Sequence, residues 1–370
     1  MTLKKWNNMV FGIFKKKKTN SDERYKNLVI KEVVHIAKEA VNLVFEKPES
    51  PFEYQPGQFL TIIKEISGKK VRRAYSLCTT PFEDEFPAVT VKRVPGGIMS
   101  NHINDEFRAG DVVEIMEPMG MFTTNYSEAN SRQVVFLGGG SGITPLYSLM
   151  RSILLKEPKS SVALVYGNRS EEYIVFKDAL EKLMETYGER IKVVHILEDN
   201  SNGYADHSGR PTAETMRDIV DGLSISRETE FFICGPEPMM DIANDGLKLL
   251  GIEDQKIRKE SFDSGKSPSV STAAKKGAGS HSEVTILMDG QEYVLKVNKD
   301  TPILDAGLDE EIDMPYSCQS GLCTACRAKC LEGEVDQEDA EGLSQSESEE
   351  GYVLLCVGKP LSDKVKVEVG

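Results

Sequence analysis

Short runs of β-branched and aromatic residues recur along the chain from about residue 26 to residue 130. Each run has the length of one strand, and they lie at 28–30, 33–36, 41–45, 59–63 and 88–91. Turn-forming pairs such as Pro56-Gly57 and Ser67-Gly68 separate them. Many short strands at this spacing are typical of an antiparallel barrel or sandwich. The pattern predicts such a domain over residues 26–130.

The pattern changes near residue 131, where short apolar runs begin to alternate with longer amphipathic segments. The apolar runs read as buried strands at 134–137, 162–165, 191–196 and 231–234. The longer segments read as helices at 145–156, 176–187, 213–221 and 239–250. Alternating strands and helices imply a parallel sheet covered by helices. We therefore predict an α/β parallel-sheet domain over residues 131–263.

Residues 264–281 are small and polar, and large apolar residues are almost absent from them. Such a segment cannot bury a core, so a flexible linker is predicted there. A hairpin pattern over 284–297, which turns at Asp289-Gly290, and a short helix near 303–308 follow. These elements predict a compact α+β third domain over residues 282–370.

The composition, with 39% hydrophobic and 28% charged residues, is that of a folded protein. No apolar run approaches the roughly 20 residues that would span a bilayer. We expect the chain to stay in the cytoplasm, where its seven cysteines would not form structural disulfides. Residues 1–25 form a basic extension with apolar residues at near-helical spacing. A frayed tail and a contact of residues 1–20 with a membrane surface both fit it.

The net charge of −14 comes almost entirely from the C-terminal domain. Residues 283–370 hold 7 basic and 20 acidic residues, a net charge of −13. An acidic surface of this size argues against nucleic acid as a partner. Docking on a basic protein face and simple solvation both remain open.

The cysteines are grouped in a pattern that indicates an iron–sulfur centre. Cys318, Cys323 and Cys326 have the spacing C-x4-C-x2-C, and Cys356 lies farther along the chain. This spacing with a distal cysteine is the plant-type ferredoxin arrangement, in which four thiolates hold a 2Fe–2S cluster. A zinc site would present two C-x2-C pairs, and only one is found here. Cys330 is the spare cysteine, for which we expect a packing role.

Two further motifs are suited to bind phosphate groups. Arg73-Ala-Tyr75-Ser76 ends a predicted strand, and the segment 91–100 contains the pair Gly96-Gly97. Gly138–Pro145 follows the strand at 134–137 and opens a helix. Glycines allow the backbone to approach phosphate closely, and a helix N-terminus favours its negative charge. The second motif is therefore interpreted as a dinucleotide loop.

The segment after the strand at 162–165 bears on the choice of nucleotide. Arg169 and Ser170 are suited to bind the 2′-phosphate that NADPH has and NADH lacks. Glu171 and Glu172 come next and would oppose a phosphate. NADPH is therefore favoured, with NADH left open.

Together these motifs resemble the ferredoxin–NADP reductase superfamily, with a plant-type 2Fe–2S ferredoxin domain at the C-terminus. The resemblance implies that the first domain is a flavin-binding β-barrel and that FAD is the flavin, although related reductases of the same domain order use FMN. It also implies an active site at Tyr75, Ser76, Cys234 and Glu260, and cluster ligands at Cys318, Cys323, Cys326 and Cys356. The implied cofactor contacts are Arg73, Tyr75, Ser76, Val91, Lys92, Gly96, Gly97, Ser100, Gly139, Gly140, Gly142, Thr144, Arg169, Ser170, Cys234, Gly235, Pro236 and Phe262.

The order of flavin barrel, nucleotide domain and ferredoxin domain resembles the reductase components of multicomponent oxygenases, such as those that serve a phenylacetyl-CoA epoxidase. The resemblance implies that a nicotinamide nucleotide supplies a hydride and that a protein acceptor, an oxygenase, receives single electrons. Reductases for a desaturase or for a detoxification or hybrid-cluster system are alternatives, as is a flavin-binding redox sensor. The linker would let the ferredoxin domain move between flavin and acceptor, or serve only as a spacer.

Overall fold

The computed structural model describes residues 25–48, 52–262, 281–319, 321, 323–337, 340 and 342–369. The predictions made for residues 1–24 and for the linker at 264–280 lie outside these described residues. No helix in the described part of the chain combines the length and the apolar character needed to cross a membrane.

The first domain is an antiparallel sheet of six strands in the order β4-β3-β6-β1-β2-β5. The strands are β1 (Tyr25–Ala37), β2 (Ala40–Phe45), β3 (Phe59–Ile66), β4 (Lys69–Ser76), β5 (Ala88–Lys92) and β6 (Val112–Met119). A bridge between Leu77 and Val89 joins the two ends of the sheet and closes it into a barrel. Alternate apolar side chains, among them Leu43, Leu60 and Ile62, fill its interior. The predicted barrel is confirmed.

A nine-residue helix, α1 (Ile98–Glu106), follows β5 and packs its buried face on the barrel. This helix is absent from the elements predicted above. Met99 and Ile103 are its only large apolar side chains that are buried, so the amphipathic pattern that would predict this helix from the sequence is weak.

The second domain is a six-stranded parallel sheet in the order β10-β9-β8-β7-β11-β12. Its strands are β7 (Gln133–Gly139), β8 (Ser161–Asn168), β9 (Ile191–Leu197), β10 (His207–Ser208), β11 (Glu230–Gly235) and β12 (Ile257–Ser261). Its helices are α2 (Ile143–Lys156), α3 (Lys177–Tyr187), α4 (Ala213–Asp221) and α5 (Glu237–Leu249). The first two helices cover one face of the sheet, and the last two cover the other. The central strands are therefore almost wholly apolar, and the predicted α/β fold is confirmed.

The third domain has a mixed sheet in the order β14-β13-β19-β15-β17 and a small pair, β16-β18. The strands are β13 (His281–Met288), β14 (Gln291–Asn298), β15 (Arg327–Glu332), β16 (Val335–Asp336), β17 (Tyr352–Leu354), β18 (Lys359–Pro360) and β19 (Lys364–Val369). Two short helices, α6 (Ile303–Asp309) and α7 (Gln345–Glu349), complete it. The α+β class is confirmed. The four sheets lie within the three predicted domains, whose exact boundaries stay a prediction.

A buried ion pair ties the start of the second domain to its sheet. The Glu157 side chain is fully buried and accepts hydrogen bonds from Arg132 Nη2 (2.7 Å), Asn130 Nδ2 (2.8 Å) and Ser160 Oγ (2.8 Å). Burial alone would raise the pKa of the Glu157 carboxyl, but these bonds outweigh it and hold the pKa below its usual value. Because the folded-state pKa is depressed, this stabilisation is present at neutral pH and is lost as the pH falls through that pKa.

Replacing Arg132 by methionine should destabilise the protein by about 3 kcal/mol, because the buried Glu157 carboxylate would lose its counter-charge. Thermal unfolding of the variant at neutral pH measures the effect. The matched control is Arg217→Met, which breaks an exposed ion pair with Asp218 and should cost at most about 1 kcal/mol. Equal shifts in melting temperature for the two variants would contradict the role given to Arg132.

Candidate functional site

The predicted dinucleotide loop connects β7 directly to α2. A single 3-10 turn, Gly140–Gly142, joins them, and no side chain caps the helix at Gly142. The Ile143 N–H at the start of α2 donates to the carbonyl oxygens of this turn, so the turn leads straight into the helix. The positive end of the helix dipole at this turn favours an anion. The hydroxyl of Thr144 donates to the Ser141 carbonyl oxygen at 3.1 Å, so it is already engaged inside the loop.

A second loop, formed by Cys234, Gly235 and Pro236, lies against the first. A Cβ atom added to Gly142 would lie 2.1 Å from the Cys234 carbonyl oxygen, so only glycine fits there. The two loops meet because β7 and β11 are parallel neighbours, with Cys234 paired to Gly138. Their contact places both predicted nucleotide motifs at one edge of the sheet.

The side chains of Cys234 and Glu260 lie at the same edge, on neighbouring strands in register. Burial, and then the charge of Glu260, raises the pKa of the fully buried Cys234 thiol. Burial and the nearby Cys318 sulfur raise the pKa of the Glu260 carboxyl to about 8. Glu260 Oε2 has no hydrogen-bond partner among the described residues. The site therefore holds a buried proton-carrying group with an unused polar atom.

Three cations lie near the ring of Tyr173 beside the glycine loop: Lys38, which is paired with Glu172, and the two described next, Lys92 and Arg169. Lys92 Nζ lies 5.4 Å from the ring centroid and the Arg169 guanidinium 5.6 Å from it. Lys92 Nζ is also 3.5 Å from the position of a Cβ added to Gly140. Burial, and then the charge of Arg169, lowers the pKa of Lys92. Within the described ranges neither Lys92 nor Arg169 forms an ion pair, so these two can attract an anion.

The two glutamates that would oppose a phosphate are each paired with a lysine. Glu171 lies 2.8 Å from Lys177 Nζ, and Glu172 lies 2.7 Å from Lys38 Nζ. Their charges are compensated, whereas Arg169 has no ion-pair partner in the part of the chain that the structure describes. These ion pairs therefore reduce the repulsion that Glu171 and Glu172 would exert on a 2′-phosphate.

The predicted flavin motif lies on β4 and at the start of α1. Ser76 is 3% exposed, and burial raises the pKa of Tyr75. Arg73 is exposed, and its Nη1 donates to the carbonyl oxygen of Arg72 at 2.6 Å. No side chain caps α1 at Gly97, so the N–H groups of its first turn are also available to phosphate.

The other predicted cofactor contacts differ in their burial, hydrogen bonding and backbone conformation. Ser100 Oγ accepts from the Val94 N–H at 3.1 Å, and Val91 is fully buried in the barrel core. Gly96 has a φ of +72°, which lets the chain turn into α1. Ser170 precedes the 3-10 turn Glu171–Tyr173, and Phe262 remains 40% exposed beyond β12.

The four cysteines of the predicted cluster lie together in the third domain. Cys323, Cys326 and Cys356 are buried, and Cys318 is half-buried. The Cys356 thiol contacts those of Cys318 and Cys326, and the Cys323 thiol contacts Cys318. Thus the three thiols of one loop and the distant thiol of Cys356 converge on one point in an apolar setting.

This donor set fits a 2Fe–2S cluster, in which each iron takes two protein thiolates. Among the described residues, no group of three or more His, Cys, Asp or Glu side chains has the arrangement that would hold a single metal ion. A two-iron cluster does not need such a group. Cys330 lies outside the set, on β15, where its thiol faces the Glu332 carbonyl oxygen at 3.6 Å.

Three family models match successive parts of the chain. They are an oxidoreductase FAD-binding domain over residues 27–124, an oxidoreductase NAD-binding domain over 136–245 and a 2Fe-2S iron-sulfur cluster binding domain over 286–361. The ferredoxin reductase component of 3-ketosteroid-9-alpha-monooxygenase from Rhodococcus rhodochrous is 34% identical, covering 92% of this chain and 96% of that protein. One component of the 1,2-phenylacetyl-CoA epoxidase from Escherichia coli is 32% identical, covering 93% of this chain and 97% of that protein. The chain belongs to the ferredoxin–NADP reductase family with a C-terminal 2Fe–2S domain.

A solved member of this reductase family has the same fold over almost the whole chain. Phthalate dioxygenase reductase matches with a TM-score of 0.60 and 23% identity, covering 95% of this chain and 100% of that one. The present reductase therefore carries the three domains that bind FAD, a nicotinamide nucleotide and a 2Fe–2S cluster. It is an oxidoreductase.

The structure also shows contacts of the reductase that the sequence did not reveal. The cluster loop packs on the outer face of the flavin barrel, where Cys323 and Ala325 contact Phe59, Ile63 and Met116. No local pattern marks these contacts, because they join segments that are far apart in the chain. Lys92 was predicted as a cofactor contact in the flavin segment, and its ammonium group lies beside Gly140 of the dinucleotide loop.

Proposed function

We propose that this chain is the reductase component of an oxygenase system, which takes a hydride from NADPH and delivers single electrons to a protein acceptor. FAD supplies the conversion between hydride and single-electron transfer, and the cluster carries one electron at a time. One observation carries the proposal: the flavin, nucleotide and cluster domains meet at one junction. Ser76 pairs with Phe59 in the barrel, and Phe59 contacts the Cys323 loop. The Cys318 sulfur lies close enough to Glu260 of the nucleotide domain to raise the pKa of its carboxyl.

The barrel would hold the flavin through residues of β4 and α1. Arg73 is an exposed cation suited to a flavin phosphate, and the uncapped start of α1 after Gly97 would provide N–H donors for it. Tyr75 offers a ring to the flavin, and Ser76 a hydroxyl. Glu260 would hold a proton at its carboxyl near neutral pH, since its pKa is raised to about 8.

The nucleotide domain would hold NADPH along the edge formed by its two loops. The uncapped start of α2, with Gly139, Gly140 and Gly142, suits the pyrophosphate. The Cys234–Pro236 loop lies next to Glu260 and suits the nicotinamide. Arg169, with Ser170 next to it in sequence and Lys92 near the same Tyr173 ring, suits the 2′-phosphate.

Replacing Arg169 by alanine should raise the KM for NADPH by about ten-fold or more, because a charge-assisted contact to the 2′-phosphate would be lost. The KM for NADH should change little, since NADH has no such phosphate. Steady-state kinetics with each nucleotide measure the two KM values. Arg227→Ala, at an exposed position of the same domain, is the control. Equal effects on both nucleotides would show that Arg169 does not select NADPH.

The acceptor that we propose is an oxygenase component, with a phenylacetyl-CoA epoxidase as one candidate. Support comes from relatives that match the chain over nearly its whole length, a steroid monooxygenase reductase and an epoxidase component. Because their identities to this chain are similar, 34% and 32%, they support an oxygenase as the acceptor but do not favour one oxygenase substrate over the other. We place the reductase in the cytoplasm, where reduced thiolates are available for a cluster.

Reconstitution with candidate oxygenase components tests this proposal. The purified reductase, NADPH and either an epoxidase or a steroid oxygenase component should give product in step with NADPH oxidation. Rapid reduction of cytochrome c without product from any oxygenase would assign the chain to another acceptor, such as a desaturase or a hybrid-cluster system. Negligible reduction of cytochrome c would favour a redox sensor.

A further inference from the structure

One buried side chain of the flavin barrel has, among the described residues, its hydrogen-bond and ion-pair partners in another domain. Arg72, on β4, is 3% exposed. Its Nη2 lies 2.7 Å from Asp313 Oδ1, and its Nη1 donates to the Met314 carbonyl oxygen at 3.3 Å. Its guanidinium also lies 5.2 Å from the ring centroid of Tyr316. Arg72 is therefore held by three residues that lead directly into the first cluster ligand, Cys318.

The surroundings of Arg72 extend this contact into a small interface. Lys70 Nζ lies 3.5 Å from Asp313 Oδ2, and the hydroxyls of Thr61 and Ser317 are hydrogen-bonded. Beside them the loop of Cys323 packs on the apolar side chains of β3 and β6. The interface thus combines an apolar patch with a buried cation on the barrel and a carboxylate on the 2Fe–2S domain.

A buried guanidinium is costly unless its charge is paired and its N–H groups are bonded. Across the described ranges, no residue of the barrel supplies a side-chain hydrogen bond or ion pair to Arg72, and its Nε has no partner. Arg72 therefore gains nothing from its own domain that would compensate its burial. Its burial is compensated only when the 2Fe–2S domain is docked.

We propose that Arg72 is a positioning residue, which docks the 2Fe–2S domain on the flavin barrel so that the cluster can be reduced from the flavin. The inference rests on the proposed function. The docked loop lies on the face of the sheet that carries Phe59, whose register partner is Ser76 of the flavin motif. Loss of the Arg72–Asp313 pair would free the cluster domain to leave this face.

Stopped-flow absorbance of the holoprotein, mixed with NADPH without oxygen, tests the proposal. In Arg72→Met the flavin should be reduced at the wild-type rate, whereas cluster reduction should slow by about ten-fold or more. Asp313→Asn should reproduce the defect from the other side of the interface, and Arg72→Lys should restore part of the rate. Arg108→Met, an exposed arginine of the same barrel, is the control and should match the wild type.

Small-angle X-ray scattering of the same holoproteins gives a readout that does not depend on activity. Arg72→Met and Asp313→Asn should have a larger radius of gyration than the wild type and Arg108→Met. Unchanged scattering together with unchanged cluster reduction would overturn the proposal. If Arg72→Met does not fold, a wild-type result for Asp313→Asn would overturn it equally. A wild-type protein with no electron transfer from flavin to cluster would instead refute the proposed function, while the scattering would still test docking.

Discussion

Replacing Cys323 by serine should abolish the iron–sulfur absorbance of the protein and leave the reduction of its flavin by NADPH intact. Cys323 is 3% exposed and contacts Cys318 at the point where the four thiols converge. Because a neutral hydroxyl is a much poorer iron ligand than a thiolate, the cluster should be lost. Electron delivery to a protein acceptor should fall on the order of 100-fold, as expected for damage to a metal site.

The visible spectrum, the iron content and the rate of flavin bleaching together measure the effect of Cys323→Ser. Cys330→Ser is a matched control, because Cys330 lies on β15 outside the group of four. It should keep the full cluster and the wild-type rate. A full cluster in Cys323→Ser, or its loss in Cys330→Ser, would show that the ligand set is wrong.

The second large effect is expected from Gly142→Ala. A Cβ atom at this position would lie 2.1 Å from the Cys234 carbonyl oxygen and 2.6 Å from the Gly235 nitrogen. Both atoms belong to the backbone, so the two nucleotide loops would have to separate. Overpacking of this kind costs about 1–3 kcal/mol of stability. It should also weaken NADPH binding, because both loops face the nucleotide in the proposed arrangement.

Thermal unfolding and the NADPH dependence of flavin reduction measure the two consequences. We expect a lower melting temperature and a KM for NADPH raised by about ten-fold or more, since loss of a charge-assisted phosphate contact alone is worth that much. The control is Gly222→Ala, at the end of α4, where an added Cβ would meet no atom closer than 3.4 Å and φ is −64°. A wild-type KM in Gly142→Ala would mean that the contact between the loops does not matter for nucleotide binding.

Much of the fold could be predicted because local patterns specify it. The helix predicted over 213–221 is observed as α4 with the same bounds, since a run of strong amphipathic periodicity marks it. The runs at 28–30 and 33–36 were interpreted as separate, whereas they form one strand, β1, of 13 residues. Register shifts between residues 30 and 32 and between 35 and 37 interrupt its pairing with β2, and such irregularities break the simple alternation of side chains.

The candidate site was predictable to the extent that each motif is local. The glycine loop, the Cys234 loop and the cysteine spacing each bring their own residues together, and the parallel register of β7 and β11 then joins the first two. The position of Lys92 beside Gly140 and the contact of Arg72 with Asp313 depend on how whole domains pack. No spacing in the sequence encodes a contact between residues so far apart in the chain. The roles of the individual site residues stay predictions until the variants are measured.

Anaerobic titration of the purified holoprotein with NADPH, followed by visible absorption and electron paramagnetic resonance, tests the proposed transfer of electrons from NADPH through FAD to the cluster. We expect both the flavin bands and the iron–sulfur absorbance to be bleached. About 1.5 molar equivalents of NADPH should suffice, since FAD takes two electrons and the cluster one. The signal of a reduced 2Fe–2S cluster should appear during the titration. A flavin that NADPH leaves oxidised, or a reduced flavin beside a cluster that stays oxidised, would contradict the proposed path of electrons.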